Sequence, residues 1–301
     1  MIVAGVDGGQ TSTIAVAGDE NGRIVGRGVA GPADEVGEGR DSTRMHDAIN
    51  EALRRALLAG SLPEPTRFDA VVAGVSGYEG RVYGRTPTVP ATRFVLMHDA
   101  PVAHAGALGG EAGVTVIAGT GSVVYATDGK RGWTTGGWGY LFGDEGSAFW
   151  FAREALSLLM HCEDLSNGPD YSRQARAACE FFGLPSLRAV ARAFYAGDLT
   201  RDRIAAFAVE ALEWHEIRKR VSWGANALAQ LVRDAFAAGA PQRVALAGGM
   251  FSNAGFSSEV RSHIERTCRG VRIVEPMYEP AVGALLLAYR EAGIARTEIS
   301  R

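Results

Sequence analysis

Residues 2–17 read IVAGVDGGQTSTIAVA, and the division of this stretch decides the fold. Ile2 to Asp7 is an apolar run rich in β-branched residues. Ser12 to Ala17 is a second such run, reached across Gly8-Gly9-Gln10-Thr11. So short a connection joins antiparallel neighbours, because a parallel pair needs a crossover of a dozen residues or so. Asp19-Glu20-Asn21-Gly22 follows, and its Asn-Gly pair is a strong hairpin signal. Residues 23–29 (RIVGRGV) make the third strand. The chain therefore opens as a three-stranded antiparallel meander, whereas a dinucleotide-binding Rossmann fold opens strand–helix–strand.

Working outward, residues 30–40 (AGPADEVGEGR) have loop composition. Asp41, Ser42 and Thr43 are cap candidates for a helix with its apolar stripe at Ala48, Ile49, Ala52, Leu53, Ala56 and Leu57 and a stop at Gly60. Strands at 69–75 and 93–97 and a helix near 100–108 complete the first unit. The pattern then begins again: a strand at 113–118, a turn at Gly119-Thr120-Gly121-Ser122, a strand at 123–127 and a hairpin turn at Asp128-Gly129-Lys130. A largely helical stretch spans 144–239. A strand at 243–247, a helix near 254–267, a strand at 271–274 and a helix at 280–292 end the chain. Two halves that both open strand, glycine turn, strand imply an internal duplication. The expected architecture is α/β, with two closely packed domains around a cleft.

Composition narrows the function classes. The 301 residues carry a net charge of -3, with Lys and Arg scattered, which is no footprint for nucleic acid or an anionic membrane. No run approaches the roughly 20 apolar residues that span a bilayer. No basic leader precedes an apolar core at the N-terminus. Cys162, Cys179 and Cys268 share no CxxC spacing and read as reduced, small buried hydrophobes. A cytoplasmic protein is expected. Glycine supplies 39 of the 301 residues, nearly twice the usual ~7%, clustered just after apolar strands where backbone approaches a ligand.

Those clusters carry the chemistry. In Asp7-Gly8-Gly9-Gln10-Thr11 the turn amides can form a phosphate nest, Thr11 adds a donor, and Asp7 can hold magnesium. A plain hairpin turn fits that stretch equally well. Gly119-Thr120-Gly121-Ser122 repeats the same ingredients in the second half, and no Walker A sequence occurs. Gly248-Gly249, after the 243–247 strand, leaves room for a flat base or is a simple strand-to-helix turn. Residues 136–147 (GGWGYLFGDEGS) form the densest glycine stretch; Asp144 there can cap the following helix or face a ligand. Asp99, in Met97-His98-Asp99-Ala100, stands at an N-cap position where a strand meets a helix. Strand carboxyl ends are also where α/β sheets place ligands, and an aspartate there can accept the proton of an alcohol attacking a γ-phosphate.

Taken in order, DGGxT, the central aspartate, GTGS, GGWG–GDEGS, the late GG turn and Glu279-Pro280-Ala281-Val282-Gly283-Ala284 resemble the BadF/BadG/BcrA/BcrD ATPase family, and within it the N-acetylglucosamine kinases. The resemblance covers nearly the whole chain. It implies two duplicated ribonuclease H-like, actin-like ATPase domains, 1–108 plus 279–301 and 109–278 with a helical insert, usually as a homodimer. It implies ATP phosphates on Gly8, Gly9, Gln10, Thr11, Gly119, Thr120, Gly121 and Ser122, with Asp7 beside Mg2+ and adenosine at Gly248 and Gly249. Asp99 becomes the general base, and Asp34, Ser76, Gly137 and Asp144 lie on the sugar side. The implied reaction is phosphorylation of an amino sugar, N-acetylglucosamine or glucosamine, at its 6-hydroxyl.

Two positions depart from the family pattern. Asp34 stands where an asparagine is common, and Val123 stands where the animal enzymes have asparagine after GTGS. An amide donates to a sugar hydroxyl or acetamide, whereas a carboxylate only accepts, so Asp34 favours a free ammonium as in glucosamine. Three other classes fit these residues less well. An electron-transferring activator needs paired cysteines for an iron–sulfur cluster, and Cys162 and Cys179 lack that spacing. A non-catalytic filament or switch protein has no use for Asp99 or the GGWG–GDEGS loop. A ROK-type kinase often carries a clustered Cys/His zinc motif, which is missing here.

Overall fold

The structure, a computed structural model, describes residues 1–35, 37–63, 66–165, 169–296 and 298–300. The opening meander forms as expected: β1 (Ile2–Gly8), β2 (Thr13–Asp19) and β3 (Ile24–Ala30) pair antiparallel. α1 (Arg44–Ala59) follows. β4 (Phe68–Val75) and β5 (Ala91–His98) then add in parallel on the other side of β1, giving the order β3-β2-β1-β4-β5. α2 (Asp99–Leu108) leads to the second sheet, which begins with β6 (Gly113–Ala118), β7 (Ser122–Thr127) and β8 (Gly132–Gly136). Six helices separate it from its last strands: α3 (Ala148–Asp164), α4 (Ser172–Phe182), α5 (Leu187–Ala196), α6 (Arg201–Ala206), α7 (Ala208–Ala211) and α8 (His215–Ala237). β9 (Arg243–Ala247), α9 (Ala254–Thr267), β10 (Arg272–Val274) and α10 (Pro280–Glu291) finish the chain. The second sheet has the order β10-β9-β6-β7-β8, with β6-β7-β8 antiparallel and β6, β9 and β10 parallel. That is the connectivity of the first sheet repeated strand for strand, so the duplicated α/β unit is present.

β1 reads as a continuous apolar run because both of its faces are covered. Alternate side chains point to opposite sides. Ala4 and Val6 join the core under α1, and Val3 joins a second core under α10. α1 buries Met45, Ala48, Ile49, Ala52, Leu53, Ala56 and Leu57 on one face, each large side chain stabilising the fold by roughly 2 kcal/mol. Thr43, one of the expected candidates, occupies the N-cap position but its side chain makes no capping hydrogen bond. Instead, Glu35 accepts from the Met45 amide at 3.4 Å and Ser42 Oγ from the Arg44 amide at 3.2 Å. α2 has no polar face because it packs on both units. Val102 lies in the core with α10 and the first sheet, while Ala107 and Leu108 meet Ala245 of the second.

In the insert, Phe207 contacts Trp214 with ring centroids 5.6 Å apart. Trp223 is 67% exposed and lies outside that core. Of the cysteines only Cys268 is buried; Cys162 and Cys179 are half-buried at the insert surface. No described helix is long and apolar enough to cross a membrane.

Candidate active site

Parallel pairing gathers the first cluster at one sheet end. Gly8 is level with Val75 on β4, and Val75 with His98 on β5. Asp7-Gly8, Ser76 and Asp99 therefore emerge side by side although up to 92 positions separate them in the chain. The Gly8 carbonyl accepts the Ser76 amide at 2.8 Å, and the Gly9 carbonyl accepts the Ala33 and Asp34 amides at 3.1 and 3.4 Å. Backbone bonds thus draw the Asp34 loop and Ser76 onto the first glycine turn. Thr11 is exposed, and Gln10 Oε1 is buried with no hydrogen-bond partner among the described residues.

The Asp7 side chain makes no hydrogen bond among the described residues, and its carboxyl is pushed up to about 7. Burial is the main cause, with the charges of Asp99 and Glu279 adding to it. Glu279, at the N-cap of α10, is gripped by both guanidinium arms of Arg27, which in turn holds Arg27 above its ordinary value. A buried carboxylate facing two others and lacking a cation of its own fits a divalent ion. No group of three or more ligating side chains converges among the described residues.

Asp99 is not the helix cap. It is the first helical residue of α2, and His98 occupies the cap position. His98 Nδ1 lies 3.1 Å from the Ala100 amide and 2.7 Å from Asp99 Oδ1. One ring nitrogen serves only one of these at a time: unprotonated it accepts from Ala100, protonated it donates to Asp99. The Asp99 hydrogen bond is the chief reason that the His98 pKa is raised, with burial opposing and the charges of Asp99, Glu79 and Asp34 adding.

The second cluster forms around β6 and β7. The Gly119 and Thr120 carbonyls accept the Ala148 and Phe149 amides at 2.9 and 3.2 Å, so the turn sits on the N-terminus of α3. Thr120 keeps its hydroxyl without a described partner, and Ser122 Oγ donates to the Glu145 carbonyl at 2.9 Å. Gly137 has a φ of +73°, and a Cβ there would lie 2.7 Å from Val123 Cγ2, so glycine at 137 leaves room for the Val123 side chain. Asp144 is buried in the left-handed region at φ +62° and does not cap α3. The cap is Ser147, whose Oγ accepts the Trp150 amide at 3.1 Å. Ser147→Ala is expected to cost about 1 kcal/mol, read as a lowered chemical-denaturation midpoint. Burial raises the Asp144 pKa, opposed by Arg201 and the Ser122 amide, while Glu145 adds to the rise.

A sequence profile of the BadF/BadG/BcrA/BcrD ATPases matches residues 4–288. The chain belongs to this family. An N-acetylmuramic acid/N-acetylglucosamine kinase of Clostridium acetobutylicum is 34% identical over 73 residues, 24% of this chain and 24% of that protein. An N-acetyl-D-glucosamine kinase of Dictyostelium discoideum is 27% identical over 179 residues, 54% of this chain and 55% of that one. The matches span about half, or less, of those relatives' lengths. The crystal structure of a candidate N-acetylglucosamine kinase from Chromobacterium violaceum shares the fold at a TM-score of 0.77. It is 25% identical, with 95% of this chain and 98% of that chain covered.

In this family member the late glycine turn adjoins the second cluster. Gly248 has a φ of +104°, and a Cβ there would fall 2.3 Å from the Ala118 carbonyl oxygen, so only glycine passes the end of β6. A cavity of about 580 Å³ lies between the starts of α8 and α9, lined by Arg218, Ser222, Asn253, Gly255 and Glu259 among others and by neither Gly248 nor Gly249. Among the described residues no hydrogen bond joins the first cluster to the second. Sequence reading missed His98 and Arg201. His98 adjoins Asp99 and was detectable by adjacency; nothing local marks Arg201.

Proposed function

We propose that the chain is an ATP-dependent sugar kinase that moves the γ-phosphoryl group of ATP to a hydroxyl, the 6-hydroxyl, of an amino sugar. The observation that carries this reading is the register Gly8–Val75–His98, which sets Asp99 beside a glycine turn bearing Asp34 and Ser76. Residues 1–108 with 279–301 form one lobe in this reading and 109–278 the other. The packing of α10 on β1 supports that division.

The first glycine turn and Thr11, with Gly119 to Ser122 opposite, hold the phosphates through amides and the Thr11 and Thr120 hydroxyls. Gly248 and Gly249 carry no side chains and so leave room for the base against the backbone. Asp7 holds Mg2+, which supplies charge neutralisation for the phosphate oxygens. Asp34, Ser76, Gly137 and Asp144 orient the sugar. Asp99 takes the proton from the attacking hydroxyl as the new O–P bond forms and the bond to ADP breaks. Closure of the lobes excludes water, limiting ATP hydrolysis.

The test is ADP release with ATP–magnesium and a panel of glucosamine, N-acetylglucosamine, N-acetylmannosamine, N-acetylmuramic acid and glucose. An amino sugar is expected to give the strong response. Silence across the panel with ATP bound overturns the reading. The buried carboxyl of Asp34 favours a free amino group, so Asp34→Asn is expected to shift preference from glucosamine toward N-acetylglucosamine by about tenfold, the scale of one charge-assisted hydrogen bond. An unchanged ratio of kcat/KM for the two sugars removes Asp34 from that role.

A further inference from the structure

Arg201 opens α6 within the helical insert, 57 positions from Asp144, yet its Nη2 lies 2.6 Å from Asp144 Oδ2. The guanidinium stands over the Tyr140 ring, 5.3 Å from its centroid. A Cβ at Gly121 would fall 2.5 Å from Arg201 Nη2 and 2.8 Å from Asp144 Oδ2, so the ion pair is lodged against the second glycine turn. Arg201 Nε is buried and has no hydrogen-bond partner among the described residues.

Two costly features thus meet at one contact. A guanidinium three-quarters removed from water with a donor unmet is unfavourable, and so is a non-glycine residue in the left-handed region. Removing one partner of such a pair leaves the other charge buried alone, so neither persists without the other. Among the described residues no other side chain of the insert hydrogen-bonds the Asp144 carboxylate.

We propose that Arg201 is a positioning residue for Asp144: from the insert, it holds that carboxylate in the orientation that receives an acceptor hydroxyl, and so sets affinity for the sugar. This rests on the reading of Asp144 as an acceptor contact. The groups facing Asp144 are Arg201, the Ser122 amide and Glu145; burial and Glu145 favour its protonated form, Arg201 and the amide its ionised form. Without Arg201 the carboxylate takes up its proton at higher pH than in the wild type, and the defect deepens as pH falls.

Steady-state kinetics on wild type, Arg201→Gln and Arg201→Lys, with N-acetylglucosamine or glucosamine varied and then ATP varied, test this. Arg201→Gln is expected to raise the sugar KM by about tenfold to a hundredfold, more at lower pH, with the ATP KM within about twofold of wild type. Arg201→Lys keeps the charge without the planar fork and is expected to lie about threefold above wild type. An unmoved sugar KM overturns the role, as does a parallel rise in both KM values with a lowered thermal midpoint. If Arg201→Gln does not fold, Arg201→Lys decides alone, a sugar KM at the wild-type value overturning the role. No turnover of any sugar by the wild type overturns the kinase reading, and this role with it.

Discussion

Asp99→Asn is expected to bind ATP as the wild type does while losing at least about 100-fold in kcat, the usual scale for removal of a general base. The substitution keeps the shape and size of the side chain, so the start of α2 and the strand end beneath it are undisturbed. What changes is proton affinity, since an amide cannot take the proton of an attacking hydroxyl. The His98 contact tests the same point. Its ring nitrogen, 2.7 Å from Asp99 Oδ1, can donate to the carboxylate when protonated and would meet an amide oxygen equally well in the variant. Orientation is therefore preserved and basicity is not. Coupled ADP release gives kcat, and titration calorimetry gives the ATP affinity. Turnover within a few-fold of wild type would remove Asp99 from the reaction and leave the phosphate-binding reading intact.

Gly5→Ala is the change of a single methyl expected to damage the fold most. A Cβ on Gly5 would lie 2.0 Å from the Leu285 amide nitrogen and 2.5 Å from the Ala281 carbonyl oxygen, both on the backbone of α10. Side chains can rotate away from an intruding methyl; a helix backbone cannot, so α10 must lift from β1 as a unit. Its N-terminus carries Glu279, and the strand carries Asp7 two positions on, so the displacement reaches the charged end of the first cluster. Overpacking of this kind costs about 3 kcal/mol or more. The thermal midpoint is expected to fall by about 6 °C or more. Gly39→Ala is the control, because a Cβ there meets nothing within 4 Å, and its midpoint should match wild type. Equal midpoints for the two variants would show that α10 does not press on β1 as closely as the structure has it.

Strand boundaries, glycine turns and the restart of the pattern at residue 113 were legible because each depends on neighbours within a few residues: alternation, β-branching and turn chemistry. The meander 2–30, the repeat of its plan in β6–β8 and the stripe of α1 are local properties of this kind. So are the glycine motifs by which the family is recognised. Two caps were not legible: Asp99 and Asp144 both stand where a capping side chain belongs, and in the structure His98 and Ser147 occupy those positions instead. A cap depends on the path by which the chain enters the helix, which the preceding loop and its packing set. Tertiary structure alone decided that Gly8, Ser76 and Asp99 share one sheet end, through strand register. It alone placed Glu279 beside Asp7, and Arg201, 57 positions away and outside any motif, on Asp144. Charge partners are chosen by proximity in the folded chain, and in a buried site that choice fixes which carboxylate is paired and which faces a ligand.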